Sequence, residues 1–64
     1  MGQEKNLPQD PFILLSYINT KLRDEYRSLE LLCEDFHITQ QVISDRLKAA
    51  GYVYDPQANQ FKAH

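Results

Sequence analysis

The stretch SLELLCEDFHITQQVISDRLKAAG, residues 28–51, decides the predicted fold. In its first half, apolar side chains recur at the i, i+3, i+4, i+7 spacing of one buried helical face. They are Leu29, Leu32, Cys33 and Phe36. The acidic residues between them suit the solvent-facing side of the same helix. The pattern therefore predicts a short helix over residues 29–36.

A second helix is predicted from Thr39, whose hydroxyl suits an N-cap, to just before Gly51, which can adopt the left-handed conformation that closes a helix. Ile43 and Leu47, four residues apart, form its inward stripe. This pair of helices predicts a helix-turn-helix, a motif in which two short helices cross steeply.

The corner between these two helices consists of His37 and Ile38. Such a turn often requires a positive φ angle, which histidine tolerates. Ile38 is apolar enough to fill the corner. Cys33 is small and lies where the two helices are expected to cross, so close packing is possible there.

Before this stretch, residues 1–9 predict a flexible tail that Leu7 could anchor. Asp10 followed by Pro11 is a helix start, with a carboxylate N-cap and proline at the first helical position. The helix is predicted to run to about Tyr26. Its inward stripe consists of Leu14, Leu15, Ile18 and Leu22. Additional apolar side chains widen this surface and predict packing on the C-terminal segment or on a second copy in a homodimer. They are Phe12, Ile13 and Tyr17.

After the stretch, Tyr52 and Tyr54 alternate with Val53, the period of a β-strand. Asp55 followed by proline suits a type I turn, and Asn59 tolerates a left-handed exit from it. The sequence therefore predicts a short β-hairpin. The predicted fold class is mainly α (small α+β): a three-helix helix-turn-helix core with a C-terminal hairpin, winged-helix-like, in a single domain over residues 10–62.

The composition limits both the architecture and the environment. A chain of 64 residues has room for one core, and its single cysteine excludes an internal disulfide. An inert core thiol at Cys33 fits a reducing cytoplasm. No secretory leader, acylation signal or membrane span is expected. The formal net charge of −2 argues against strong non-specific attachment to nucleic acid or anionic lipid.

No catalytic pattern is recognisable in the sequence. Cys33 and His37, four residues apart, could form a thiol–imidazole pair or supply two metal ligands. Two ligands are too few for a structural metal site, and no third is obvious. The simpler interpretation places Cys33 in the core and His37 at the corner. We therefore expect no enzymatic activity, no bound metal and no cofactor.

Binding to double-stranded DNA is the first functional hypothesis. The second helix of a helix-turn-helix enters the major groove, and its outward residues near the N-terminus contact base edges. Glutamine and serine can read bases there, and nearby cations can contact phosphates. The DNA-contact candidates are Gln40, Gln41, Ser44, Lys48 and Lys62. Arg46 is a further phosphate candidate, whereas Asp45 in the same helix opposes this role.

Binding to another protein, as an adaptor, is the alternative. Four tyrosines are numerous for so short a chain, and tyrosine is common at interfaces, although half-buried packing beneath the hairpin is the simpler role. A polar, locally basic surface at the end of the first helix is the alternative contact patch. It consists of Asn19, Lys21, Arg23, Asp24 and Arg27.

Several blocks of the sequence together resemble a known family. They are Leu7-Pro8, Asp10-Pro11, Leu14-Leu15-Ser16, NTKLRD at residues 19–24, Leu32-Cys33-Glu34-Asp35, Gly51-Tyr52, Tyr54-Asp55 and Asn59-Gln60-Phe61. Over residues 7–61 the chain resembles the bacterial family known as domain of unknown function 4250. The resemblance implies a stand-alone cytoplasmic bacterial protein and brings no activity with it.

The resemblance lies mainly in residues 19–24 and the hairpin, and hardly in the helix that would read DNA. We therefore hypothesise that Asn19, Arg23 and Asp24 either connect the first helix to the hairpin or form the contact surface.

Overall fold

The computed structural model describes residues 7–64 as three helices followed by a two-stranded antiparallel sheet. The helices are α1 (Pro11–Asp24), α2 (Leu29–Phe36) and α3 (Gln40–Lys48), and the strands are β1 (Tyr52–Asp55) and β2 (Gln60–Ala63). This order confirms the predicted small α+β class with three helices and a C-terminal hairpin. Most of the predicted flexible tail lies outside the described residues, but Leu7 packs against the core.

Helix α1 begins as predicted and ends earlier. The Asp10 carboxylate accepts hydrogen bonds from the Phe12 and Ile13 amides at 2.8 and 3.2 Å, so it caps the helix. The predicted end near Tyr26 was wrong by about one half-turn, because the helix closes at Asp24. The Glu25 and Tyr26 amides both donate to the Lys21 carbonyl, which ends the regular pattern and turns the chain.

The α2–α3 corner has the predicted left-handed residue. His37 has a φ angle of 61°, and its amide donates to the Glu34 carbonyl. The following Ile38 amide donates to the Cys33 carbonyl at 3.1 Å, and the Ile38 side chain packs against the core. The short connection between α2 and α3 is therefore fixed by backbone bonds that satisfy carbonyls at the end of α2.

Thr39 occupies the N-cap position of α3, but the predicted side-chain cap was wrong. No side-chain capping bond forms there. A capping hydroxyl would accept a hydrogen bond from the Val42 amide. That amide donates instead to the backbone carbonyl of Thr39 at 3.2 Å. A tight first turn has therefore replaced the side-chain cap.

The core is built from all three helices and one strand residue, Phe61 of β2, which is 3% exposed. The buried helical side chains are Leu14, Ile18, Leu22, Leu29, Leu32, Cys33, Phe36, Ile43 and Leu47. Leu15, predicted to point inward, is only half-buried. The four tyrosines are half-buried, as predicted, and pack around this core. Tyr17 and Tyr26 contact Phe36 of α2, and the other two belong to β1. None of the helices in residues 7–64 combines the length and apolar content needed to cross a bilayer.

The hairpin pairs Tyr52 with Ala63 and Tyr54 with Phe61. Gly51 enters it at a φ angle of 92°, and Asn59 leaves the turn at 53°, as predicted for both positions. The Asp55 carboxylate accepts a hydrogen bond from the Gln57 amide at 3.0 Å. This hydrogen bond and the nearby Lys62 ammonium lower the pKa of Asp55. The turn is therefore closed by its own first residue.

Candidate binding surfaces

One side of the hairpin is attached to α1 through the Asn19 side chain. The Phe61 amide donates to Asn19 Oδ1 at 2.8 Å, and Asn19 Nδ2 donates to the Phe61 carbonyl at 3.1 Å. A single side-chain amide thus satisfies both outward backbone groups of Phe61, as a neighbouring strand would. Asn19 therefore serves as the connection between the first helix and the hairpin.

A second asparagine connects the hairpin turn to the end of α1. Asn59 Nδ2 donates to the Leu22 and Tyr26 carbonyls, both at 3.0 Å. Its Oδ1 accepts the Tyr54 hydroxyl at 2.6 Å, and that hydroxyl accepts the Leu29 amide at 3.2 Å. The network satisfies carbonyls near the end of α1 and an amide at the start of α2.

Between α1 and the hairpin turn lies a cleft of about 590 Å³. Its apolar lining comes from Phe12, Leu15 and Leu22, and Phe12 is 59% exposed. Its polar lining consists of Ser16, Asn19, Thr20, Arg23, Asn59 and Gln60, with Ala58 on the turn. The side chains of Asn19 and Asn59 are held by hydrogen bonds to backbone carbonyls. Part of the lining is therefore fixed in the absence of a partner.

The rest of the predicted alternative patch is largely neutralised by ion pairs. Lys21 Nζ lies 2.7 Å from the Glu25 carboxylate, and Arg23 Nε lies 2.9 Å from the Asp24 carboxylate. These partners raise the pKa values of Lys21 and Arg23 and lower that of Asp24. Arg27 has no ion pair in the described part of the chain. The two roles proposed for Asn19, Arg23 and Asp24 therefore fall to different residues. Asn19 connects α1 to the hairpin, whereas Arg23 and Asp24 pair with each other at the surface.

The predicted DNA-contact residues divide between two elements. Gln40 and Lys48 are exposed on α3, and Ser44 is half-buried. Gln41 is also exposed, and its Nε2 donates to Asp45 at 2.7 Å. Lys62, on β2, forms an ion pair with Asp55 at 3.3 Å.

Of the six lysines and arginines in residues 7–64, three are paired with carboxylates. The unpaired ones are Arg27, Arg46 and Lys48. Two of them, Arg46 and Lys48, belong to α3. They lie within three positions of the acidic residue Asp45 in the sequence. The positive charge available to phosphates on this helix is therefore small.

Cys33 and His37 occupy different environments. Cys33 is 3% exposed, and burial raises the pKa of its thiol, which keeps the side chain protonated. His37 is exposed at the α2–α3 corner. Within the described range no three metal-ligating residues come together.

The sequence interpretation missed the connecting role of Asn59 and Tyr54. The sequence predicts a left-handed turn conformation for Asn59, and for Tyr54 a place in the strand with half-buried packing or an interface contact, but no hydrogen bond between elements for either. The side-chain amide of asparagine can both donate and accept hydrogen bonds, which indicates in general terms that it can join two elements. Its partners, the Leu22 and Tyr26 carbonyls, lie more than thirty residues earlier in the chain, so the spacing of residues gives no indication of them.

A family model described as domain of unknown function, DUF4250, matches residues 8–61. The chain belongs to this family. The match covers α1, α2, α3 and the hairpin as far as Phe61, and therefore includes both connecting asparagines. No curated protein and no solved structure matches the chain. The family brings no activity with its description, so the function has to be argued from the surfaces.

Proposed function

We propose that this protein is a non-catalytic binding module that holds a segment of another protein in the cleft between α1 and the hairpin turn. The observation that carries the proposal is the cleft itself. Its volume of about 590 Å³ is in the range of small ligand sites, and its lining mixes apolar surface with amides and hydroxyls. Such a lining suits an apolar side chain flanked by backbone groups of a partner.

The electrostatics of the cleft favour an uncharged segment as its occupant. Among the residues that the structure describes, Arg23 is the only cation in the lining, and it already pairs with Asp24. A strongly acidic ligand would therefore find little uncompensated positive charge. Phe12, which is 59% exposed, adds apolar contact area to the lining of the cleft. Large exposed apolar side chains of this kind are common at protein contacts.

The proposal can be tested with peptides selected from a random displayed library against the folded protein. The tightest peptide is titrated into isotope-labelled protein, and backbone-amide NMR shifts are followed. We expect the shifts to cluster at Ser16, Thr20 and Gln60. Peptides that bind without perturbing these residues, or a failure to select any peptide, would count against the proposal.

A matched pair of arginine variants identifies the surface. Thr20→Arg places a long charged side chain in the cleft lining and should weaken the affinity for the peptide at least about tenfold. Gln41→Arg adds the same side chain on exposed α3, outside the cleft, and should leave the affinity unchanged. Equal effects of the two variants would point to general electrostatics instead.

Double-stranded DNA is the second candidate ligand, because Arg46 and Lys48 of α3 have no ion pair in the described residues. In this hypothesis α2 and α3 are a helix-turn-helix and the hairpin is the wing of a winged helix. Salt-sensitive shifts at Gln40, Ser44 and Lys48 on addition of random-sequence duplex would support it. We rank it second since Lys62 and Gln41 already have acidic partners.

The buried free thiol of Cys33 further leads us to expect a reducing, cytoplasmic location.

A further inference from the structure

The outer edge of β1 carries backbone groups that pair with nothing in the described chain. The His64 amide donates to the Gly51 carbonyl at 2.7 Å, so residues 51 and 64 form a hydrogen-bonded pair. Hydrogen-bonded and non-hydrogen-bonded pairs alternate along an antiparallel ladder. It follows that Tyr52 and Tyr54 occupy non-hydrogen-bonded pairs, and their N–H and C=O groups point away from β2.

The Asn19 contact leads independently to the same assignment. Asn19 takes both backbone groups of Phe61 on the outer edge of β2. The residue opposite Phe61 is Tyr54, whose backbone groups must therefore point outward from β1. One edge of the hairpin is thus covered by a side chain from α1, whereas no hydrogen bond within residues 7–64 covers the other.

We infer that the β1 edge binds the same edge of a second copy, joining two hairpins into one four-stranded antiparallel sheet. This goes beyond the proposed cleft and does not depend on it. The arrangement is self-complementary about a two-fold axis at Val53. Tyr52 of each copy lies opposite Tyr54 of the other, and their outward N–H and C=O groups supply four hydrogen bonds.

The side chains at this edge favour a second copy. Val53 is 37% exposed and would face the Val53 of the other copy in a non-hydrogen-bonded pair, where side chains approach most closely. Residues 52–54 contain no charge and no proline, the usual protections of an exposed edge. The residue opposite Asp55 would be Gly51, so no like charges face each other. Lys62 lies one strand further out and is paired with Asp55.

The stability of the hairpin provides a second reason. A two-stranded sheet is marginal in water unless it packs against a helix, as this hairpin does through Phe61, and further strands add to its stability. Asn19 substitutes for a third strand at only one residue, Phe61. A second copy would extend the ladder on the open side. Because that side lies opposite the edge held by α1, both clefts would stay available in the dimer.

The test is a charge-exchange experiment at Val53. Sedimentation velocity across a concentration series should show a monomer–dimer equilibrium for the unaltered chain. Val53→Lys alone and Val53→Asp alone place like charges opposite each other, and each should weaken dimerisation at least about tenfold. An equimolar mixture of the two should dimerise again, because lysine then faces aspartate. Circular dichroism of each variant shows whether it remains folded.

Two controls distinguish the edge from other surfaces. Val42→Lys changes the same residue type on exposed α3 and should leave the dimer unchanged. Ile13→Ser changes a 59% exposed residue of the α1 surface that, with Phe12 and Tyr17, was predicted for a homodimer, and should also leave the dimer unchanged. Phe12 stays in place because its ring contacts that of Tyr52 on β1. Hydrogen exchange adds an internal comparison: the Tyr52 and Tyr54 amides should become protected as concentration rises, whereas Val53, already bonded to β2, should not change.

The outcomes decide the inference directly. Loss of the dimer in both single Val53 variants, with recovery in the mixture, supports it. A dimer that Ile13→Ser abolishes but the Val53 variants do not overturns the inference in favour of the α1 surface. A chain that stays monomeric at all concentrations also overturns it. Peptide binding to the cleft is measured separately and can succeed or fail in each case.

Discussion

Two asparagine side chains hold the hairpin of this protein against its helices, and neither is buried like a core residue. Asn19 and Asn59 are half-buried, yet both donate to carbonyls far away in sequence. Asn19 accepts the equally distant Phe61 amide, whereas Asn59 accepts the hydroxyl of the nearby Tyr54. Together they bond backbone groups of Leu22, Tyr26 and Phe61 that the helices and strands would otherwise leave unpaired. At the scale of single residues, these amides decide how the elements meet.

Removing the Asn59 amide should destabilise the fold. Asn59→Ala leaves the Leu22 and Tyr26 carbonyls without their donor and strains the left-handed backbone, so we expect a loss of about 2 kcal/mol in the free energy of unfolding. Urea denaturation measures it. Asn59→Gly keeps the φ angle accessible, and a Gly variant as stable as the original chain would show that the hydrogen bonds contribute little.

Arg23→Ala is the contrasting change on the same side of α1. The Arg23 side chain is 74% exposed and, within residues 7–64, pairs only with neighbouring Asp24. Exposed pairs contribute little, so the free energy of unfolding should change by less than about 0.5 kcal/mol. A clear fall in the melting temperature would instead assign Arg23 a connecting role that its contacts do not indicate.

Tyr26 should titrate separately from an ordinary tyrosine. Its hydroxyl donates to Asp35 at 2.5 Å, and this bond, helped by desolvation, raises its pKa from 10.0 to about 12. Because the folded pKa is raised, the stabilisation is complete below the ordinary pKa and is lost as pH rises through the folded value. Tyrosinate absorbance should show a late transition that Tyr26→Phe removes and Asp35→Asn shifts to lower pH.

The helices begin in chemically different ways. Asp10 caps α1 with two side-chain bonds, and the Ser28 hydroxyl caps α2 by accepting the Leu31 amide at 3.2 Å. At α3 the backbone carbonyl of Thr39 accepts the hydrogen bond from the Val42 amide, and the Thr39 hydroxyl makes no capping bond. The same class of residue therefore contributes differently at the element scale, according to the geometry of the first turn.

This difference predicts unequal costs for cap removal. Asp10→Ala should lower the free energy of unfolding by about 1 kcal/mol, whereas Thr39→Ala should lower it by less than about 0.5 kcal/mol. The two are compared by urea denaturation under identical conditions, with Ser28→Ala expected to resemble the Asp10 variant. Equal losses at Asp10 and Thr39 would mean that the Thr39 hydroxyl caps α3 in solution.

At the scale of the whole molecule, the hairpin is part of the core. Phe61 is 3% exposed and packs in the cluster formed by the three helices, against the ring of Tyr54. A domain of this size has little stability to spare, since small chains bury a low fraction of their surface. Losing one central side chain therefore threatens the entire fold.

Phe61→Ala should cost about 3–5 kcal/mol, comparable to the total stability of a domain of this size, and should leave much of the chain unfolded. Far-ultraviolet circular dichroism and the dispersion of amide NMR signals measure the loss. Lys62→Ala, at the next position but exposed, should keep the native spectrum. Native helicity in both variants would show that the three helices fold without the strand.

The elements were predictable because their signals are local. The apolar spacing of α2, the Asp10-Pro11 start and the left-handed positions at His37 and Asn59 depend on residues within a few positions of each other. The end of α1 was misplaced because the Lys21 carbonyl takes two amides at the turn. Leu15 was expected inward, but the packing of the elements leaves it half-buried at the cleft.

The amino-acid sequence by itself determined the order of helices and strands, the core stripe and the family, since each depends on residue type and short spacing. Only the tertiary structure decided which polar side chains connect elements and which remain available. Asn19, Arg23 and Asp24 are alike in the sequence as polar residues of one block, but only Asn19 comes within hydrogen-bond distance of β2. Contacts between residues forty positions apart depend on how helices pack, and helix packing is a property of the folded chain.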